Sequence, residues 1–106
     1  MKHSLLIGRY QPFHDGHAAM VDTLLAEGKY VCIALRDTPL DASNPYTTEE
    51  RREMIRARYG DRVKVIVVPD IEEVVYGRDV GYGIRQLHFG AEIEAISATT
   101  IRAQPR

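Results

Sequence analysis

The chain has 106 residues, of which 44% are hydrophobic and 27% charged, a composition that is ordinary for one folded domain spanning residues 1–106. Its 14 lysines and arginines nearly balance its 15 acidic residues, so a broad basic surface for nucleic acid is not expected. The single cysteine, Cys32, excludes an intramolecular disulfide and disfavours a cysteine-based zinc site. No apolar run approaches the roughly 20 residues of a membrane span, and the N-terminus lacks the apolar core of a signal peptide. A cytoplasmic protein with no membrane partner is the expectation.

Apolar runs and helical periodicity alternate along the chain, which predicts an α/β domain with a mainly parallel, five-stranded sheet flanked by helices. Thr47 and Glu50 have the spacing of a capping box at the start of a helix, and Gly28 is predicted to end the first helix. The predicted strands are residues 3–7, 30–35, 63–68, 73–76 and 91–96, and the predicted helices are residues 16–27, 47–59, 79–88 and 98–102.

Residues 8–17, GRYQPFHDGH, join the first strand to the first helix and combine several features that bind phosphate. A helix start directs free N–H groups and the positive end of the helix dipole at one point, and Arg9 adds a cation there. Gly16 lets a ligand approach the main chain closely. His14 and His17 are three residues apart, so both rings can lie on one side of the turn. Imidazole donates a hydrogen bond, more strongly when charged, to oxygens that gain negative charge in phosphoryl transfer.

A second anion site is predicted after the last strand, where Ser97 and Thr99 lie at a helix start and Arg102 follows one turn later. The sequence contains neither a Gly-x-Gly-x-x-Gly fingerprint after a strand nor the Gly-Lys-Ser/Thr of a P-loop. A hydride-transfer enzyme and a P-loop kinase are therefore disfavoured. His3 and His88 are isolated, and we interpret them as structural.

Three segments resemble signatures of the nucleotidylyltransferase superfamily. Residues 8–17 resemble its His-x-Gly-His signature, in the form found in archaeal-type nicotinamide mononucleotide adenylyltransferases. Residues 44–51, NPYTTEER, resemble a segment that shapes the substrate side of the cleft in those enzymes. Residues 96–102, ISATTIR, resemble the second signature, from which they depart at Ala98, where the family often has a second serine.

The resemblance implies a Rossmann-like fold and transfer of a nucleoside monophosphate from an NTP to a phosphorylated small molecule, with release of pyrophosphate. It favours ATP weakly, and it implies Mg²⁺ carried with the triphosphate and no metal ligands from the protein. The first signature would hold the α-phosphate region, and the second would hold the β- and γ-phosphates. The residues implied in catalysis are His14, His17 and Arg102, and those implied in nucleotide binding are Gly8, Arg9, Tyr10, Gly16, Gly77, Arg78, Ser97 and Thr99.

Several alternatives stay open. Compact cytidylyltransferases share the fold and both signatures, so CTP with a small phosphorylated alcohol is an alternative substrate pair. A nucleotide-binding module without turnover is an alternative of another class, and a fragment of a class I aminoacyl-tRNA synthetase is disfavoured by the lack of a Lys-rich second signature.

The loop of residues 36–46 is either a cover for the substrate or a solvated connection, and Gly77 with Arg78 is either a neighbour of the base or a simple turn. Because the short last helix would leave an apolar edge uncovered, a homodimer or higher homo-oligomer is expected.

Overall fold

The computed structural model describes residues 2–78 and 82–87, in which strands and helices alternate. In chain order the elements are β1 (His3–Gly8), α1 (Asp15–Ala26), β2 (Tyr30–Arg36), α2 (Thr48–Tyr59), a 3₁₀ turn (Gly60–Arg62) and β3 (Val63–Val68). The strands and helices predicted up to residue 68 are thus confirmed, with ends that differ by no more than one or two residues.

The three strands form a parallel sheet in the order β1-β2-β3. Both connections step in the same direction across the sheet, so right-handed crossovers place α1 and α2 on the same face. The buried core on that face contains Val31, Ile33 and Leu35 of β2, packed with Ala18, Val21 and Leu24 of α1 and with Ile55 and Tyr59 of α2. Because the strands are parallel, the two strand-to-helix connections, residues 9–14 and 37–47, leave the sheet at one edge. The candidate site lies at this edge.

The helix boundaries follow the local chemistry of the sequence. At the start of α2 the Thr47 hydroxyl accepts a hydrogen bond from the Glu50 amide at 3.0 Å, and the Glu50 carboxylate accepts one from the Thr47 amide at 3.1 Å. This is the predicted capping box. Gly28 follows α1 with a φ of 78°, and its amide donates to the Leu25 carbonyl at 3.0 Å, which confirms its role at the helix end.

Two polar contacts hold α1 against α2. Arg58 forms a 3.0 Å ion pair with Asp15 in the first turn of α1, although both side chains are substantially exposed. The Tyr59 hydroxyl donates to the Asp22 carboxylate at 2.9 Å, and burial together with this bond raises the pKa of Tyr59. These contacts connect α2 to α1 at its first residue and again past its middle.

Arg51 is fully buried beneath the site edge, with 0% of its surface exposed. Its Nη1 donates at 2.8 Å both to the Arg9 carbonyl, just after β1, and to the Arg36 carbonyl at the end of β2. Its Nε donates to the Thr47 carbonyl at 3.2 Å. Burial lowers the pKa of Arg51 and the charge of Asp37 acts in the opposite direction, but a guanidinium stays charged in proteins. One cation thus joins the ends of two strands to the start of α2.

Beyond residue 68 the structure differs from the predictions. Residues 73–76 do not form a strand: Val74 and Val75 are 69% and 77% exposed, and no described strand pairs with them. A strand needs a hydrogen-bonded neighbour and a buried face, and this segment has neither in the described part of the chain.

Residues 82–87 are not helical, which agrees with the cost that Gly81 and Gly83 impose on a short helix. The rest of the helix predicted at 79–88, the strand at 91–96 and the helix at 98–102 lie outside the described residues. The described sheet has three strands rather than the predicted five.

Replacing Arg51 by methionine should lower the free energy of unfolding by about 3 kcal/mol or more. The variant keeps the apolar stem but leaves three carbonyls without their charged donor, and one such bond is worth about 1.5–3 kcal/mol. The measurement is urea denaturation followed by circular dichroism. Arg56→Met, on the exposed side of the same helix, is the control and should cost no more than about 1 kcal/mol. Equal losses for the two variants would contradict the role given to Arg51.

Candidate functional site

The turn between β1 and α1 places the residues of the first signature at the carboxyl edge of the sheet. Tyr10 has a φ of 52°, a left-handed conformation that side-chain-bearing residues seldom adopt, and the Gln11–Pro12 peptide bond is cis. The Tyr10 ring packs over Gly8, where an added Cβ would lie 3.1 Å from the Tyr10 Cζ. A side chain at this position would therefore have to displace the ring by a few tenths of an ångström, a constraint that the sequence did not show.

His14 and His17 cap α1 reciprocally. His14 is the N-cap residue, and its Nδ1 accepts hydrogen bonds from the amides of Gly16 at 3.0 Å and His17 at 3.4 Å. The Nδ1 of His17 accepts a bond from the His14 amide at 3.1 Å. This is the geometry of a capping box in which two imidazoles replace the usual hydroxyl and carboxylate or amide.

These bonds fix the tautomer of both rings. Because each Nδ1 accepts from a backbone N–H, the single proton of each neutral ring must be on Nε2. Burial lowers the pKa of His14, with the charge of Asp15 acting in the opposite direction. Burial and then the neighbouring His14 lower the pKa of His17 to about 3. Near neutral pH the site therefore offers two neutral Nε2–H donors, rather than the charged donor that the sequence left open as the stronger one.

Aromatic rings surround the imidazole of His17. The His14 ring stacks on it with centroids 3.7 Å apart and planes 16° from parallel. Tyr10 lies nearly perpendicular to it at 4.7 Å, and Phe13 lies 5.4 Å away. Tyr10 is itself only 4% exposed, so its side chain offers little surface to a nucleotide and belongs to the packing around His17.

The first signature also holds the loop that follows β2. Arg9 donates from Nη1 to the Asn44 Oδ1 at 3.2 Å. The side-chain amide of Gln11 exchanges two 2.9 Å hydrogen bonds with the backbone of Tyr46. The loop is braced internally by Asp41, whose Oδ1 accepts bonds from the Asn44 amide at 2.8 Å and from the Asn44 side chain at 3.0 Å. Residues 37–47 are thus tied to the signature turn at two points.

The structure brings together six of the predicted site residues: Gly8, Arg9, Tyr10, His14, Gly16 and His17. The Gly16 amide is engaged by His14 and serves the cap. Gly77 and Arg78 are exposed in an irregular segment, and an added Cβ at Gly77 would meet nothing within 4 Å. Ser97, Thr99 and Arg102 lie outside the described residues.

Three further residues shape the site and were not selected from the sequence: Gln11, Asn44 and Arg51. Gln11 and Asn44 lie inside segments that resemble family signatures, which was the available signal. Arg51 is the last residue of the 44–51 segment, but its role did not follow from that resemblance, because two of its partners are 15 and 42 residues away in sequence and no local pattern shows them.

Within residues 2–78 and 82–87, no three His, Cys, Asp or Glu side chains converge closely enough to hold a metal ion. In the same part of the chain, neither helix has the length and apolar character needed to cross a membrane.

Comparison with known proteins shows the family of the chain. Residues 5–80 match the family model described as cytidylyltransferase-like, and this match covers most of the chain. The chain therefore belongs to the cytidylyltransferase-like family.

The most informative relatives carry a narrower description. The chain is 39% identical over 77 residues to the nicotinamide-nucleotide adenylyltransferase of Methanocorpusculum labreanum, covering 70% of this chain and 45% of that protein. It is 36% identical over 76 residues to the enzyme of the same name from Thermoplasma acidophilum, covering 69% and 42%. The chain thus spans less than half the length of these relatives.

Among solved structures, the chain resembles a bifunctional NMN adenylyltransferase/ADP ribose pyrophosphatase from Francisella tularensis, complexed with AMP and a manganese ion. The TM-score is 0.50 and the identity 32%, over 65% of this chain and 22% of that one. This likeness supports the α/β, Rossmann-like fold.

Stability should fall as the pH is lowered from about 6.5 towards 3, partly because of His17. Above an unfolded pKa of about 6.5 the ring is neutral in both states; below it the unfolded chain takes up a proton that the folded chain, with a pKa of about 3, does not. One such proton lowers the free energy of unfolding by at most about 1.4 kcal/mol per pH unit, and partial exposure reduces this slope.

The measurement is urea denaturation between pH 7 and pH 4 for the parent chain and for His17→Gln. Glutamine is the usual residue at this position of a capping box and can accept from the His14 amide, but it does not titrate. The variant should therefore lose less stability than the parent over this range. If the free energy of unfolding fell by the same amount in the parent and the variant between pH 7 and pH 4, His17 would not be held neutral.

Proposed function

We propose that the chain is a nucleotidyltransferase that moves a nucleoside monophosphate from an NTP to a phosphorylated small molecule, with release of pyrophosphate. The observation that carries this proposal is the pair of Nε2–H donors fixed by the reciprocal cap of His14 and His17. Both donors belong to the start of a helix at the carboxyl edge of a parallel sheet, the usual place of ligand binding in this architecture. The arrangement suits electrostatic stabilisation of a phosphoryl group.

In the proposed reaction a phosphate oxygen of the acceptor attacks the α-phosphorus of the NTP. The bond from that phosphorus to the oxygen bridging the α- and β-phosphates breaks, and pyrophosphate leaves with the electron pair. His14 and His17 donate from Nε2 to α-phosphate oxygens as these gain negative charge, and no covalent enzyme intermediate is needed. Because both donors are uncharged, they do not neutralise the charge of the bound NTP before the reaction. Their hydrogen bonds strengthen as the α-phosphate oxygens gain negative charge.

Arg9 and the second signature complete the proposed site. Arg9 keeps guanidinium N–H groups beyond the one that binds Asn44, and these suit a substrate phosphate. Ser97, Thr99 and Arg102 are proposed to hold the β- and γ-phosphates, on the strength of the sequence signature alone. Mg²⁺ enters as the magnesium complex of the triphosphate, because Mg²⁺ commonly binds through substrate phosphates and waters.

The names of the relatives favour ATP as the donor and nicotinamide mononucleotide as the acceptor. The experiment is a matrix of four NTPs against nicotinamide mononucleotide and small phosphorylated alcohols, with pyrophosphate release as the readout. ATP with nicotinamide mononucleotide should give the highest rate. Nucleotide binding with no pyrophosphate for any pair would mean that this chain is a binding module without turnover.

A second candidate is cytidylyl transfer from CTP to a small phosphorylated alcohol. The description of the matching family model, cytidylyltransferase-like, favours it. The same matrix separates the two candidates, because the rate would then be highest with CTP and the alcohol.

His17→Gln should lower turnover by roughly 100-fold or more and change nucleotide affinity much less. The glutamine preserves the capping acceptor, but its amide N–H donors lie beside that acceptor on a flexible side chain rather than across a fixed ring, and a donor used mainly in the transition state acts on rate. Steady-state kinetics give kcat and KM for each variant. The control is His3→Gln, on an exposed histidine at the opposite end of β1, which should retain parental kinetics. Near-normal kcat with a raised KM in His17→Gln would contradict the catalytic role.

Arg102→Ala should weaken binding of the intact triphosphate by about 1.5–3 kcal/mol and barely affect the monophosphate. This range is the usual worth of a hydrogen bond to a charged group, and the monophosphate lacks the groups that Arg102 is proposed to hold. Calorimetry with both nucleotides makes the measurement. His14→Asn, which keeps a good N-cap near the α-phosphate, should show no such selectivity. Equal losses for both nucleotides in Arg102→Ala would reverse the proposed order of the phosphates.

A further inference from the structure

Tyr10 is held in an unusual conformation next to the proposed catalytic ring. Its φ of 52° costs free energy for a residue with a side chain, and such strain persists only where the surrounding structure imposes it. The ring is packed between Gly8, where a Cβ would come within 3.1 Å of it, and His17, whose centroid is 4.7 Å away. The turn thus directs the Tyr10 side chain back onto the start of α1.

The contacts of His17 leave its ring little freedom. Nδ1 is held by the His14 amide at 3.1 Å, and one face is covered by the His14 ring at 3.7 Å. Tyr10 meets the ring at an interplanar angle of 80°, a favourable arrangement for two aromatic rings. A single hydrogen bond and a stack would still permit tilting about that bond, and the perpendicular ring of Tyr10 opposes such tilting.

The described surroundings of His17 contain few titratable groups. His14 and Tyr10 contact the ring directly, Asp15 acts on His14, and Tyr59 of α2 lies behind Phe13, with ring centroids 6.1 Å apart. Burial raises the pKa of Tyr10, so its hydroxyl stays neutral, and burial also lowers the pKa of His17. Both rings are therefore uncharged near neutral pH, and the bond from the His14 amide to Nδ1 sets the Nε2–H tautomer of His17.

We infer that Tyr10 is a positioning residue, whose ring fixes the imidazole of His17 so that Nε2–H points at the transferred phosphoryl group. This inference rests on the proposed function and replaces direct nucleotide contact as the role of the Tyr10 side chain. Small displacements of a catalytic donor cost much of its effect, so the ring acts on rate through His17.

The test compares Tyr10→Leu with Tyr10→Phe in the full 106-residue chain. Tyr10→Leu removes the ring and should lower kcat about tenfold or more, with KM for the triphosphate within about twofold of the parent. Tyr10→Phe keeps the ring and should restore parental values. Tyr10→Met, which keeps apolar volume without a ring, replaces Tyr10→Leu if that variant does not fold. Tyr30→Leu, an exposed aromatic at the opposite edge of the sheet, is the control for loss of a tyrosine and should behave as the parent.

A double-mutant cycle shows whether Tyr10 acts through His17. In a His17→Gln background, Tyr10→Leu should reduce kcat by less than about twofold, because the ring that it positions is gone. A loss there as large as in the parent would overturn the inference. A raised KM with unchanged kcat in Tyr10→Leu would equally overturn it, since it would indicate direct ligand contact.

Nitrogen-15 NMR of the histidine rings separates this inference from the proposed function. In Tyr10→Leu the Nδ1-protonated tautomer of His17 should become detectable, while Tyr10→Phe should match the parent. An unchanged His17 tautomer in Tyr10→Leu would overturn the inference. If the parent releases no pyrophosphate with any substrate pair, the proposed function fails, but the NMR comparison still decides whether Tyr10 positions His17.

Discussion

The buried guanidinium of Arg51 is the constraint on which the rest of the site edge depends. Two parallel strands end and a helix begins at one place, carbonyl groups lie there, and buried carbonyls must be satisfied. Arg51 supplies donors to three of them, from Arg9, Arg36 and Thr47. The turn that carries the histidines begins at one of these carbonyls, and the loop that contacts it begins at another. Arg51 therefore holds the starts of the turn and of the loop together from below, in addition to the direct bonds between them.

The loop of residues 37–47 is held against the signature turn by hydrogen bonds and is more than a simple connection. Gln11 pairs with the Tyr46 backbone much as a neighbouring strand would, and Arg9 reaches Asn44. In the proposed site a ligand phosphate would use the other N–H groups of Arg9, while Nη1 keeps its bond to Asn44. The sequence left open whether this loop covers a substrate; its attachment to the signature turn makes it part of the site in either case.

The alternation of strand and helix up to residue 68 could be predicted because each signal is local. Continuous apolar runs mark the strands, and Thr47 with Glu50 marks the start of α2. The signature histidines could be located by motif, but their mutual capping could not, because Ser, Thr, Asp and Asn are the usual N-cap residues. Residues 73–76 were wrongly predicted as a strand, since β-branched and aromatic composition says nothing about whether a partner strand is present. The second signature and the expected homo-oligomer stay predictions.

The reciprocal histidine cap couples the opening of the first turn of α1 to ligand binding at the proposed site. Each ring holds the backbone through Nδ1. In the proposed site Nε2 donates to a phosphate, so a phosphate that immobilises the rings would also hold the first helical turn closed. Conversely, each transient opening of that turn releases both rings and disassembles the donor pair. The amide hydrogens of Gly16 and His17, which bond to His14, would then exchange with solvent more slowly when the site is filled.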